Sequence, residues 1–179
     1  MKKIFHVLLF LALVLSACSI SVSSPGPLPP ATSDAPPNPQ ECGYQWANKD
    51  LPELSKSFQG FIQRLQPEAQ ANAYAFGENC MLADGSIGGF SAMETDFNIT
   101  LRAHDLTNES DLGEWIVKVM QVIESIPKEQ IVGPQPGRVS IIFQSGNDQK
   151  VVNFYINQYQ ALNSGLSNSE IYQALQTPQ

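Results

Sequence analysis

The segment Asp96-Phe97-Asn98-Ile99-Thr100-Leu101-Arg102-Ala103-His104 decides the architecture. Phe97, Ile99, Leu101 and Ala103 alternate with Asp96, Asn98, Thr100, Arg102 and His104. Successive side chains of a strand point to opposite faces, so this period of two predicts a sheet with one buried and one wet side. The segments around it supply the layer that buries the apolar side.

Upstream, Leu51, Leu54, Phe58, Phe61, Ile62 and Leu65 recur at helical spacing, with Asp50 as the expected N-cap, Pro52 in the first turn and Pro67 beyond the end. Residues 71–82 read as extended, with Tyr74, Phe76, Cys80 and Leu82 on one side, and Asp84-Gly85 signals a hairpin into the Asp96–His104 segment. Downstream, Thr107 or Asn108 opens a second helix marked by Leu112, Trp115, Ile116, Val119, Val122, Ile123 and Ile126, and Pro127 stops it. Val139, Ile141 and Phe143, the turn at residues 145–148, then Val152, Phe154 and Ile156 read as a second hairpin. Ser167-Asn168-Ser169-Glu170 has capping-box form and opens a short terminal helix. These elements predict an α+β two-layer sandwich: a four-stranded antiparallel sheet with helices on one face, in the order α-β-β-α-β-β-α.

Three regions follow from composition. Residues 1–17 have two lysines, a short apolar core and small residues before Cys18, which makes a secretory signal peptide. The run is shorter than the roughly 20 apolar residues needed to span a bilayer. Leu15-Ser16-Ala17-Cys18 resembles the lipobox of bacterial lipoproteins. That resemblance implies lipidation of Cys18 and an anchor on the exported side of the cell membrane or envelope; cleavage of an ordinary signal peptide after Ala17 is the alternative. Residues 18–40 hold seven prolines and form a tether, extended at about 3.1 Å per residue. Residues 41–179 are one domain by size.

The formal charge is −7, and loss of residues 1–17 removes Lys2 and Lys3 and no acid, which makes it −9. An acidic chain without a basic cluster argues against nucleic acid as a partner, since phosphate neutralisation dominates that affinity. With Cys18 assigned to lipid, Cys42 and Cys80 remain, and export predicts their disulfide. Two separate buried thiols are the alternative. Two cysteines and one histidine make a thin ligand set, so no metal and no cofactor is expected.

Catalytic signals are sparse. His104 is the only histidine after residue 17. Glu94 and Asp96 share a strand face about 7 Å apart, near a paired-carboxylate spacing. The glycines of residues 84–89 lack the lysine-serine/threonine end of a phosphate loop. A small envelope hydrolase using Glu94, Asp96 or His104 is therefore the second reading. The first is a non-enzymatic surface protein that binds a protein, peptide or glycan through the wet sheet face. Asp96, Asn98, Thr100, Arg102, Asn153 and Tyr155 are its candidate binding residues, with Ser140, Ile142, Gln144 and Asn157 alongside. Arg102 and Tyr155 are the expected anchors, because Arg and Tyr recur at binding hot spots.

Overall fold

The computed structural model describes residues 41–176. The expected signal peptide, the expected lipidation site Cys18 and the expected tether lie outside the described residues. No described helix is long and apolar enough to cross a membrane.

Five strands form one sheet in the order β1-β2-β3-β4-β5, which curls as an open half-barrel. They are β1 (Gly43–Asp50), β2 (Gln70–Met81), β3 (Ile87–Arg102), β4 (Arg138–Ser145) and β5 (Asp148–Tyr155). Helix α1 (Pro52–Leu65) joins β1 to β2, and α2 (Glu109–Glu124) joins β3 to β4. Two short helices follow β5: α3 (Ile156–Gln160) and α4 (Asn168–Gln176).

The four-stranded antiparallel sandwich is therefore corrected in two respects. First, β1 is an additional strand, paired antiparallel with β2 from Gly43↔Met81 to Asp50↔Tyr74. Its sequence, GYQWANKD, carries no alternation because only Ala47 is even half-buried. The ladder and the Cys42–Cys80 disulfide hold it instead. That bridge is present as expected, with Cα atoms 4.9 Å apart. Second, β3 and β4 pair in parallel, from Phe97↔Val139 to Arg102↔Gln144. Helix α2 carries the chain back across the sheet, and such a crossover delivers the next strand in the original direction.

Smaller corrections follow the hydrogen bonds. Asp50 ends β1 rather than capping α1, whose N-cap is Leu51 with no side-chain bond. Asn108 does cap α2, its side-chain oxygen accepting from the Asp111 N–H at 3.3 Å. The Ser167–Glu170 capping box forms, with the Ser167 N–H and hydroxyl both donating to the Glu170 carboxylate at 2.7 Å. Strand β5 stops at Tyr155, so Ile156 and Asn157 belong to α3. Strand β3 stops at Arg102, so His104 lies beyond the sheet.

One face of the sheet carries the core. Phe97, Ile99 and Leu101 of β3, Val139, Ile141 and Phe143 of β4, and Val152 and Phe154 of β5 are buried there. Leu54, Phe58 and Ile62 of α1 and Leu112, Ile116, Val119, Met120 and Ile123 of α2 cover them. Phe58 meets Phe97 edge-on, ring centroids 5.0 Å apart. Phe61 and Leu65, expected on the same stripe, stay partly exposed, and the Arg64 guanidinium lies over the Phe61 ring at 4.3 Å. Tyr172 and Leu175 of α4 complete the core. Gly113 lets α4 approach α2, for a Cβ there would stand 1.8 Å from the Asn168 carbonyl oxygen.

The strand margins near α1 are closed by side chains. Gln59 donates to the Ala69 carbonyl at 2.8 Å and accepts from the Ala71 N–H. Ser55 donates to the Ala73 carbonyl at 2.8 Å and accepts from the Ala73 N–H at 3.0 Å. Beyond the end of β1, α1 thus stands in for a strand against the first residues of β2. Gln66 does the same for the end of β3, accepting from the Arg102 N–H at 2.6 Å and donating to its carbonyl at 3.0 Å. On the outer strand β5, Lys150 points toward the helices, its ammonium donating to the Leu106 carbonyl at 3.0 Å. Capped margins and inward charges are devices that discourage uncontrolled edge pairing.

Candidate functional site: the open face of the sheet

Residues directly opposite one another in a sheet share a face, so the register maps the side away from the helices row by row. One row runs Asn72↔Asn98↔Ser140↔Asn153 across β2, β3, β4 and β5. The next runs Gln70↔Thr100↔Ile142↔Val151. Neighbouring strands are about 4.8 Å apart, so each row is roughly 14 Å wide. All eight side chains are exposed or half-exposed, and none is charged. Asn72, Asn98, Ser140 and Asn153 make no side-chain hydrogen bond within the described residues. Asn72, Asn98, Thr100, Ser140 and Ile142 line a shallow groove of about 710 Å³.

Charged groups sit at the two ends of these rows. At one end Tyr74 faces Asp96, and Arg138 faces Tyr155. Asp96 is buried, with one oxygen accepting the Arg138 N–H at 2.7 Å and the other 4.0 Å from the guanidinium. Its carboxylate pins the start of β4 to β3. A hydrogen bond to Tyr74 is the main cause that raises the Arg138 pKa above its ordinary value, with the charges of Tyr74, Asp96 and Tyr155 adding to it. Glu94 lies one step further along the same face, opposite Phe76. Burial, then the charge of Asp96, pushes its carboxyl up from the usual glutamate range. At the other end Arg102 pairs with Glu68 at 2.7 Å, both side chains well exposed.

At the Asp96–Arg138 end, the loop between α2 and β4 closes the margin of β3. Thr95 donates its hydroxyl to the Val132 carbonyl at 2.8 Å and accepts from the Val132 N–H at 2.9 Å. The Gln135 N–H donates to the Met93 carbonyl at 2.9 Å. Gly137 makes the approach feasible, because a Cβ there would sit 1.7 Å from the Thr95 carbonyl oxygen. Loop residues alone gave no sequence signal for this contact.

Of the expected binding residues, Asn98, Thr100, Asn153 and Tyr155 lie on the open face, and Asn98 and Asn153 share one row. Asp96 has the right parity but is buried and engaged. Arg102 and Tyr155 do not form one anchor pair: they belong to opposite ends of the face, separated by six residues of strand, about 20 Å. Asn157 is in α3 and His104 is off the strand, so neither extends the row. Glu94 and Asp96 share a face as expected, but His104 lies past Arg102 at the far end, in a separate hollow with Asp105, Asp111, Glu114 and Trp115. The three groups of the hydrolase reading are not brought together. Among the described residues, no group of three or more His, Cys, Asp or Glu has the arrangement of a metal site.

Asn72 carries no sequence signal, because it shares its side of β2 with Tyr74 and Phe76 while the buried side carries only Ala73 and Ala75. Arg138 was missed because it precedes the first apolar residue of its strand. Trp46 extends the open face onto β1, stacked on Phe76 with centroids 5.2 Å apart, and is itself exposed along with Tyr44. Comparison of the chain with family models, with curated proteins and with solved structures finds no match in any of the three.

Proposed function

We propose that this protein is an exported, lipid-anchored recognition module that acts by binding rather than by catalysis, through the open face of its sheet. Support for the anchoring is the resemblance of Leu15-Ser16-Ala17-Cys18 to a lipobox, followed by proline-rich residues suited to a tether. Recognition rests on one observation: the row Asn72, Asn98, Ser140 and Asn153 spans four strands with every side-chain donor and acceptor unused. A sheet held rigid by a continuous core presents these groups at fixed spacing, so a ligand forfeits little ordering entropy in meeting them. Partner classes consistent with this surface are a protein, a peptide or a glycan.

The test is enrichment of bound material from the native envelope with the wild-type chain and with Asn98→Ala/Asn153→Ala. Loss of the bound material in the double variant, with an unchanged melting curve, supports the reading. Equal recovery from both chains contradicts it.

A further inference from the structure

Resting on that reading of the open face, we infer that its two middle rows bind an uncharged, polyhydroxylated ligand, a neutral glycan segment. Three features of the face carry this. The first is electrostatic. The chain has a net charge of −7, yet the eight positions of these rows hold no acid and no base. The cations at the two ends already face acids of the protein: Arg138 lies 4.0 Å from Asp96, and Arg102 pairs with Glu68 at 2.7 Å. An anionic glycan would meet no cation within the rows, would compete with Asp96 and Glu68 for those at the ends, and would enter a repelling field. A cationic peptide would find no carboxylate in the rows.

The second feature is hydrogen-bond chemistry. Each asparagine offers two donors and an accepting carbonyl, and Ser140 offers one donor and two lone pairs. A sugar hydroxyl is likewise donor and acceptor at once, so a hydroxylated chain can satisfy both halves of every group. An extended peptide spends most of its own donors and acceptors on a strand edge, not on a sheet face. The third feature is the sparse apolar content. Ile142 and Val151 are the two apolar members of the rows, and Tyr155 stands half-exposed at their margin. They offer flat contact for the C–H faces of sugar rings. The groove on this face is shallow, unlike the well-packed pockets that seat the aromatic or aliphatic anchors of protein partners.

Each hydrogen bond exchanged with water contributes only a small net gain. A single segment is therefore held weakly, and a lawn of tethered copies raises the avidity on a repeating glycan. The uncharged rows also make binding insensitive to ionic strength, because screening acts on charged pairs.

The experiment uses the full chain in detergent micelles on one array carrying neutral oligosaccharides, their uronate and sulfate counterparts, and unmodified peptides. The expected result is retention by neutral oligosaccharides that changes little with salt and falls roughly 10- to 30-fold in Asn98→Ala/Asn153→Ala, which corresponds to two lost hydrogen bonds. Asn72→Asp keeps the size of the side chain but puts a charge into the row, and it weakens the same spots. Retention by anionic glycans only, or none by neutral ones, overturns the assignment. Peptide retention that depends on Asn98 and Asn153 overturns the glycan and leaves the face as the binding surface. Glycan retention indifferent to all three substitutions overturns the face itself.

Discussion

The carboxamide of Gln59 takes the place of a neighbouring strand against Ala71, accepting its N–H while donating to the Ala69 carbonyl. One turn away, Ser55 repeats the device at Ala73. The sheet can therefore end the β1 pairing at Tyr74 without leaving the first residues of β2 bare along that margin.

Gln59→Ala leaves a part-buried carbonyl and N–H without partners. The expected cost is about 1–3 kcal/mol, the penalty for unmet polar groups. Urea denaturation checks it. The Ser55→Ala/Gln59→Ala pair further exposes a free strand margin, so aggregation during refolding should rise.

The disulfide closes a loop between positions 38 residues apart. Removing it as Cys42→Ser/Cys80→Ser should cost about 4 kcal/mol on the chain-entropy account. The effect should be graded across the fold. Hydrogen exchange should quicken first in β1 and the outer half of β2, which lack core contacts, while Phe97 and Ile99 keep their protection until global unfolding.

Gly113→Ala places a methyl group against the Asn168 backbone, and backbone cannot rotate aside. Helix α4 must shift or detach, exposing Tyr172 and Leu175. The expected loss is about 1–3 kcal/mol, in the range of overpacked cores. Chemical denaturation and exchange in residues 168–176 report it.

Glu94 carries a raised pKa from burial and from the charge of Asp96. A carboxyl whose folded pKa exceeds its unfolded value near 4.3 favours the fold below that value, and the benefit is lost as pH rises through the folded pKa. Glu94→Gln removes this dependence. Its melting temperature should match wild type near pH 4 and exceed it increasingly toward pH 7. A difference that is flat with pH contradicts the assignment.

Much of the core was legible because periodicity reports burial. Phe97, Ile99 and Leu101 alternate, and Leu54, Phe58 and Ile62 repeat at helical spacing, so their buried faces follow from sequence. The strand β1 left no such signal, since Tyr44, Gln45 and Trp46 are exposed and their pairing is a matter of backbone and disulfide. The parallel join of β3 to β4 was equally silent. Alternation states which side of a strand is wet but not which strand lies beside it. The amide row shows both halves of this rule. Parity puts Asn98 and Asn153 on the wet side, whereas their alignment with Asn72 and Ser140 depends on a register that only the fold supplies.

Hydroxyl-radical footprinting of the full chain, with and without native envelope material, tests the central claim most directly. Tyr74 and Tyr155 report the open face, while Phe61 and Trp115 report the helical side. Binding through the sheet predicts protection of Tyr74 and Tyr155 with Phe61 and Trp115 unchanged. Protection confined to Phe61 and Trp115, or none at the two tyrosines, contradicts it.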